Sequence, residues 1–230
     1  MSLYLSILIF SAVLPFLLSF DKKVRFYRKW KALFPSIIIA GSIYLTADIF
    51  FAKHGIWGFN ASYHSGIILL GLPLEEWLFF IVIPYASVFI HYVVVYYFPK
   101  LVTGNFFIRI FSAILIVLLL MVVVLNYEKA YTSFNFSLLI VVLIVALFDK
   151  SGLLNRYLFS FLFILIPFFI VNSILTGTFI PGEVVWYSNQ AILGIRILTV
   201  PVEDIGYAFS LILMNLLIIN NFQKLSYFRE

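Results

Sequence analysis

The chain alternates long apolar runs with short segments that are rich in charged and turn residues. A helix needs roughly 20 apolar residues to cross the ~30 Å hydrocarbon core of a bilayer, so each run of that length is a candidate span. Seven runs qualify, at residues 3–20, 33–51, 75–98, 106–126, 133–148, 157–176 and 203–221. The pattern therefore predicts an all-α, polytopic membrane protein with seven transmembrane helices.

Composition supports this prediction and excludes several functions. Of the 230 residues, 64% are hydrophobic and only 11% are charged, whereas soluble domains carry about 25% charged residues. The chain has no cysteine, which excludes disulfides, thiolate metal sites and a thiol nucleophile. No metal site is expected. The net charge of +5 lies in loops between apolar runs, so no nucleic-acid role is expected.

The cations are distributed unequally between the two sides of the predicted bundle. One side carries twelve: Lys22, Lys23, Arg25, Arg28, Lys29, Lys31, Lys100, Arg109, Lys150, Arg156, Lys224 and Arg229. The other side carries Lys53, Lys129 and Arg196. Because cytoplasmic loops are enriched in Lys and Arg, we expect the N-terminus outside and the C-terminus in the cytoplasm, in the cell membrane.

Self-comparison indicates an internal repeat. Residues 66–76 read GIILLGLPLEE and residues 194–204 read GIRILTVPVED, a shift of 128. The same shift lays span two on span six, span three on span seven and, approximately, span one on span five. The chain is therefore predicted to contain two parallel three-helix repeats, 1–100 and 129–230, joined by a connector span within 101–128.

Each repeat contains a Pro-x-Glu-acid motif that begins a predicted helix. Pro73 precedes one acid pair and Pro201 the other, and the four acids are Glu75, Glu76, Glu203 and Asp204. Proline followed by first-turn acids is an ordinary helix start. However, four of the ten acids in the chain occupy these two matched places, where burying a carboxylate costs several kcal/mol unless it is paired or protonated. A shared functional site between the repeats is the favoured interpretation.

Further polar and aromatic residues lie near these motifs in the sequence. Asp48 is near the outer end of span two, and Arg196 either extends to the headgroups or pairs with an acid. An aromatic belt at the membrane interface is the ordinary explanation for the tryptophans, and turns explain the asparagines. The candidate substrate-binding residues are Trp57, Trp77, Phe80, Trp186, Tyr207, Asp48, Asn60, Asn189 and Arg196.

Acids at the mouth of an apolar bundle, with aromatic rings nearby, suit acid catalysis on a hydrophobic substrate. Protonating a carbon–carbon double bond requires a carboxyl group that retains its proton and a weak base to remove another proton. Aromatic faces can stabilise the intermediate carbocation. A Glu-Glu pair facing a Glu-Asp pair meets these requirements.

The segments PLEEWLFF at 73–80 and PVEDIGYAF at 201–209, in a small tandem-repeat membrane chain, resemble the membrane-integral lycopene cyclases. In that family two short related polypeptides act together or are fused, and this chain is similar to the fused form. The resemblance implies that Glu75, Glu76, Glu203 and Asp204 catalyse non-redox cyclisation of the ψ ends of lycopene to β-ionone rings, which gives γ-carotene and β-carotene. It implies no cofactor, in agreement with the lack of a G-x-G-x-x-G fingerprint. The expected partners are the carotenoid substrate, membrane lipid and other carotenoid enzymes.

Other seven-span functions fit the sequence less well. A small-solute transporter is the main alternative, because parallel repeats in a three-one-three arrangement also form carriers. A retinal-binding photoreceptor would need a lysine in the middle of span seven, and residues 205–220 contain none. A prenyltransferase would need two Asp-rich magnesium motifs, whereas Asp21, Asp48, Asp149 and Asp204 are scattered.

Overall fold

The structure, a computed structural model, describes residues 1–227, and these residues form seven α-helices. The helices are α1 (Leu3–Leu18), α2 (Trp30–Lys53), α3 (Leu74–Tyr97), α4 (Asn105–Leu125), α5 (Ala130–Phe148), α6 (Leu153–Leu175) and α7 (Val202–Tyr227). A 3₁₀ turn, Phe26–Lys29, precedes α2. Of the counted cations, Arg229 and the side chain of Lys224 lie outside the described part.

The predicted all-α membrane class is confirmed by the helices in the described range. Six of them are long and apolar enough to cross a membrane. The first, α1, is shorter, with 16 residues or about 24 Å of helix. The fifth begins at Ala130, three residues before its predicted start, and the last continues beyond residue 221.

Six very short strands, none of them predicted, lie in the two loops that precede α3 and α7. They are β1 (Trp57–Phe59), β2 (Ile68–Leu69), β3 (Leu72–Pro73), β4 (Val185–Tyr187), β5 (Arg196–Ile197) and β6 (Val200–Pro201). β2 pairs with β3 and β5 with β6 as antiparallel hairpins, and β1 pairs with β4 across the two loops. Strands of two or three residues are too short to show the alternation by which a strand is recognised in a sequence.

The same elements recur in the same order on either side of α4. The three strands and the start of the following helix recur at a shift of 128, and Gly66 and Gly194 both adopt a positive φ, of 84° and 81°. The ends of α2 and α6 instead correspond at a shift of 122, because the backbone N–H groups of Gly55 and Gly177 donate to the carbonyls of Ala52 and Ile174 in equivalent turns. The loop after α6 is therefore six residues longer than its counterpart, and the shift of 128 does not extend to the second helix of each half.

The two halves interlock around a local two-fold relation. In the β1–β4 ladder Gly58 lies opposite Trp186, the residue 128 positions further on, so the ladder is symmetric about its own centre. Within each half the first helix packs on the third, α1 on α3 and α5 on α7. Between halves α2 packs on α7 and α6 on α3, while α4 packs mainly on α5. Helices of both halves therefore surround the interior of the bundle.

Close helix contacts hold this arrangement in place. A Cβ on Gly206 would lie 3.2 Å from Phe136 and 3.3 Å from Leu139, so α7 and α5 approach at a glycine. The largest apolar cluster, which includes Tyr157, Phe161 and Phe209, joins α6 to α7. The contact at Gly206 holds the beginning of α7, which carries Glu203 and Asp204, against α5.

Candidate active site

Glu75 and Glu203 anchor the loops that precede their own helices. The backbone N–H of Ser65 donates to Glu75 Oε1 at 2.6 Å, and the N–H of Leu193 donates to Glu203 Oε1 at 2.6 Å. Ser2 Oγ also donates to Glu75 at 2.7 Å, and Thr132 Oγ1 donates to Glu203 at 2.6 Å. In each half the first acid of the motif therefore connects the third helix to the loop before it and to the start of the first helix, which is α1 in the first half and α5 in the second.

Glu76 and Asp204, the second acids of the motifs, line a cavity and accept hydrogen bonds from tyrosines. Tyr4 donates to Glu76 Oε2 at 2.5 Å, and Tyr131 donates to Asp204 Oδ1 at 2.7 Å. A second phenol, that of Tyr187, donates to Asp204 Oδ2 at 2.9 Å. Both carboxyl groups are nearly completely buried, so their hydrogen-bond partners are these protein donors.

Asp48 is the third carboxyl group in the same cavity. It lies on α2 and is 1% exposed, and Tyr207 of α7 donates to its Oδ2 at 2.9 Å. Its Oδ1 is buried without a hydrogen-bond partner among the described residues. An unpartnered buried carboxylate oxygen is costly, which makes Asp48 a candidate for direct chemistry with a bound molecule.

The cavity has a volume of about 760 Å³ and lies inside the helix bundle. It is elongated: its lining on α1 extends from Tyr4 to Pro15, about 16 Å of helix, and on α3 from Glu76 to Ile90, about 21 Å. The carboxyl groups of Glu76 and Asp204 are at the end where α3 and α7 begin. Most of the remaining lining is apolar, including Phe10, Leu14, Phe89, Ile164 and Ile212. The shape fits a long apolar molecule with one end beside the acids.

Aromatic rings surround the acidic end. Trp57 lines the cavity and its ring stacks on that of Tyr187, with centroids 6.3 Å apart. Burial, and then the nearby carboxyl of Asp204, raises the pKa of the Tyr187 phenol well above its ordinary value. Tyr187 is therefore a hydrogen-bond donor throughout the neutral pH range, and the rings present π faces to whatever occupies this end.

The structure brings only some of the predicted site residues together. Asp48, Trp57, Glu76, Asp204 and Tyr207 line the cavity. The other predicted residues are not among its lining side chains, namely Glu75, Glu203, Trp77, Phe80, Trp186, Asn60, Asn189, Arg196, Pro73 and Pro201.

Several of these other residues have clear local contacts. Trp77 Nε1 donates to the Leu69 carbonyl at 3.2 Å, which holds the first hairpin. Trp186 covers Gly58 so closely that a Cβ there would lie 2.6 Å from the indole ring. Arg196 is exposed, donates to the Thr199 carbonyl at 2.7 Å and lies 5.9 Å from the centre of the Tyr187 ring.

The remaining predicted residues have structural environments. Asn60 accepts from the Ser62 N–H at 3.0 Å, and Asn189 is exposed. Pro73 and Pro201 are the last residues of β3 and β6, immediately before α3 and α7. Phe80 is buried against Tyr44 and Leu211.

Three tyrosines that donate to the cavity carboxyls are absent from the candidate residues predicted from the sequence, namely Tyr187 of β4 and the pair Tyr4 and Tyr131. Tyr4 and Tyr131 correspond at a shift of 127, and their backbone N–H groups make matching 3.1 Å bonds to the carbonyls of Tyr63 and Ala191. A comparison at a shift of 128 places Tyr4 beside a threonine and hides the match. A tyrosine near the start of the first helix of each half was the signal that could have revealed them.

The two halves are not equivalent around the cavity. Ala208 lines the cavity, and its counterpart at a shift of 128 is the larger Phe80. Ser11 also lines the cavity, and its counterpart at a shift of 127 is the larger Leu138. Phe80, Leu138 and Tyr44 pack together in an apolar cluster. The space related to the cavity by the local two-fold is thus filled with side chains.

No group of three or more His, Cys, Asp or Glu side chains among residues 1–227 is arranged to hold a metal ion. The cavity carboxyls are instead hydrogen-bonded to phenols.

Comparison with known proteins gives one family match. The lycopene cyclase family model matches residues 1–94 and 128–222, which together make up more than three quarters of the chain. Searches of curated proteins and of solved structures gave no significant match. The two matched segments correspond to the two halves described above, each with one helix start that supplies a carboxyl to the cavity. The chain belongs to the lycopene cyclase family.

Proposed function

We propose that the chain is a lycopene β-cyclase that converts the ψ ends of lycopene to β-ionone rings, giving γ-carotene and β-carotene. The observation that carries the proposal is the elongated apolar cavity with Asp48, Glu76 and Asp204 in its lining. The end portion of a linear polyene fits the apolar length, and the acids lie where its end group would reach. Family membership supports a carotenoid substrate.

The reaction is an isomerisation in which no atoms or electrons are gained. A carboxyl proton adds to C2 of the end group and leaves a cation at C1. The C5–C6 double bond attacks C1, so the C1–C6 bond forms and the charge moves to C5. Loss of the proton from C6 then creates the C5–C6 double bond of the β ring. One proton enters and one leaves, so the step needs one acid and one base.

The hydrogen-bond pattern supports different roles for the three carboxyl groups. Asp204 accepts from two phenols, which stabilise a carboxylate, so we assign it as the base that removes the C6 proton. Asp48 has one unpartnered oxygen and Glu76 accepts from a single phenol. Three ionised carboxylates in one apolar cavity would be costly, and we assign the donated proton to Asp48 or Glu76.

Aromatic residues support the cationic intermediates. Trp57 and Tyr187 present stacked rings at the acidic end, and neither carries a strong nucleophile that would trap a cation. Cation–π attraction is worth about 2 kcal/mol or more in a desolvated site. The same apolar surroundings exclude water, which would otherwise add to the cation.

We also propose that the acidic end faces the outer side of the cell membrane. Ser2 bonds to Glu75, so the start of the chain and the starts of α3 and α7 lie at one end of the bundle. That end carries the fewer cations, which supports an outer N-terminus.

Pigment analysis in cells that accumulate lycopene tests the function. Expression of the chain should convert lycopene to cyclic carotenes, and the Glu76→Gln, Asp204→Asn double variant should leave lycopene unchanged. The matched control is Glu183→Gln, because Glu183 is an exposed loop acid outside the cavity lining. Unchanged lycopene with folded wild-type protein in the membrane would refute the proposal and favour the transporter alternative.

A further inference from the structure

The cavity reaches the lipid-facing surface of the bundle between α1 and α6. Phe10, Leu14 and Ile170 line the cavity although they are 88%, 63% and 61% exposed. Phe10 and Leu14 lie on α1 and Ile170 lies on α6. A residue that both lines a cavity and is exposed marks its mouth, so this mouth is bordered by apolar side chains of two helices.

The equivalent seam on the other side of the bundle, between α2 and α5, is closed by aromatic rings. Phe51 of α2 and Phe134 of α5 make an edge-to-face contact with centroids 5.3 Å apart. Their counterparts are Ser173, at the shift of 122 that relates the ends of α2 and α6, and Ile7, at the shift of 127 that relates α1 and α5. At these two positions the α1–α6 seam therefore carries the smaller side chains and lacks the aromatic contact that closes the α2–α5 seam.

A whole carotenoid cannot fit inside the cavity. Its lining covers about 16 Å of α1 and about 21 Å of α3. An extended C40 polyene is longer than the ~30 Å hydrocarbon core of a bilayer. When one end group lies beside Asp204, the rest of the molecule must leave the cavity through an opening.

We propose that the α1–α6 seam, with Phe10, Leu14 and Ile170 at its rim, is a lateral opening through which the ψ end of the substrate enters from the lipid. The unreacted part of the polyene remains in the opening and in the adjoining bilayer during the reaction. This inference rests on the proposed function, because it takes a long polyene as the occupant. An apolar rim requires no desolvation of polar groups during entry from lipid, which suits a substrate dissolved in the membrane.

Bulky substitutions at the rim test the opening. Leu14→Trp and Ile170→Trp should each lower lycopene turnover in liposomes by at least about tenfold, because the added ring occupies the path of the polyene. The matched controls are Leu162→Trp on α6 and Ile9→Trp on α1. Leu162 and Ile9 are also exposed, at 57% and 44%, and neither lines the cavity. The controls should stay within about twofold of wild type. Leu14→Phe and Ile170→Phe replace the Trp variants if those reduce the amount of folded protein.

A second measurement separates failure of the opening from failure of the proposed function. The amount of carotenoid that co-purifies from lycopene-accumulating cells should fall in Leu14→Trp and not in Ile9→Trp. If the wild type binds lycopene but does not convert it, the cyclase proposal fails. The difference in bound carotenoid between Leu14→Trp and Ile9→Trp still tests the opening. If the wild type converts lycopene and the rim variants match their controls in both measurements, the opening is refuted.

Discussion

Tyr207 of the second half donates a 2.9 Å hydrogen bond to Asp48 of the first half, and this bond joins the halves inside the cavity. The counterpart of Tyr207 at the shift of 128 is Phe79, which also lines the cavity but cannot donate. The bond therefore belongs to one side of the molecule alone. It positions a carboxyl group that has no other hydrogen-bond partner among the described residues.

Removing this phenol should impair the reaction more than the fold. Tyr207→Phe keeps the ring and removes the donor, so Asp48 loses its orientation, and we expect turnover to fall by about tenfold. Tyr44→Phe is the control: Tyr44 contacts Tyr207 ring to ring, with centroids 4.7 Å apart, but its phenol donates to Ser210 and it does not line the cavity. Its turnover should change by less than about twofold.

Thermal inactivation of both variants distinguishes positioning from simple loss of packing. If the two variants are equally stable and only Tyr207→Phe loses turnover, the result supports the orientation of Asp48 by Tyr207. Equal losses of turnover in the two variants would contradict it.

The second acids of the two motifs should matter for chemistry, and the first acids for the fold. Glu76→Gln and Asp204→Asn should each lower cyclisation by about 10²-fold or more, with the protein still folded in the membrane, because the amide cannot exchange a proton. Glu75→Gln and Glu203→Gln weaken bonds from the N–H groups of Ser65 and Leu193 and should cost about 1–3 kcal/mol of stability.

Turnover per folded protein, measured beside the temperature of inactivation, separates the two pairs. Normal turnover in Glu76→Gln and Asp204→Asn would refute their catalytic roles. Loss of turnover in both Glu75→Gln and Glu203→Gln at unchanged stability would mean that all four acids act in the reaction, as the family resemblance implies.

Much of this arrangement could be predicted from the sequence, because membrane helices are defined by long apolar runs. The spans were correctly located to within a few residues at most ends, and the motifs mark helix starts. The difference between Glu75 and Glu76 could not be predicted, since adjacent residues of a helix point about 100° apart and only the packing decides which faces the cavity. Tyr4 was missed because one helix start is displaced by one residue relative to the shift of 128. The strands were missed because two or three residues are too few to show an alternating pattern, and β1 also pairs with β4 of a distant loop.

The two halves should work only together. β1 pairs with β4, α2 packs on α7 and α6 on α3, so each half exposes apolar interface when it is alone. Separate chains cut at Tyr127, in the turn between α4 and α5, should restore cyclisation when they are co-expressed and show none singly. Asp48 and Glu76 come from one chain and Asp204 from the other.

A second cut, in the loop near residue 104, is the control for the connector helix. This cut leaves α4 on the chain that carries the second half, and the two chains should again restore cyclisation when they are co-expressed. Cyclisation by either half alone would refute a cavity shared between the halves.

The source of the proton gives the most direct test of the chemistry. If a carboxyl group of the cavity protonates the polyene, it re-equilibrates with solvent between turnovers, so cyclisation in heavy water should place one deuterium at C2 of each new ring. The hydrogen lost to the base should come from C6, and because the proposed reaction is an isomerisation, purified protein in liposomes should need no NAD(P)H. Mass spectrometry of the product, with NMR to locate the deuterium, measures the first expectation, and omission of added nucleotide measures the second. Lycopene recovered from Glu76→Gln, Asp204→Asn protein is the control for non-enzymatic exchange. A cyclic product without solvent deuterium, or strict dependence on a reductant, would contradict proton transfer from Asp48 or Glu76.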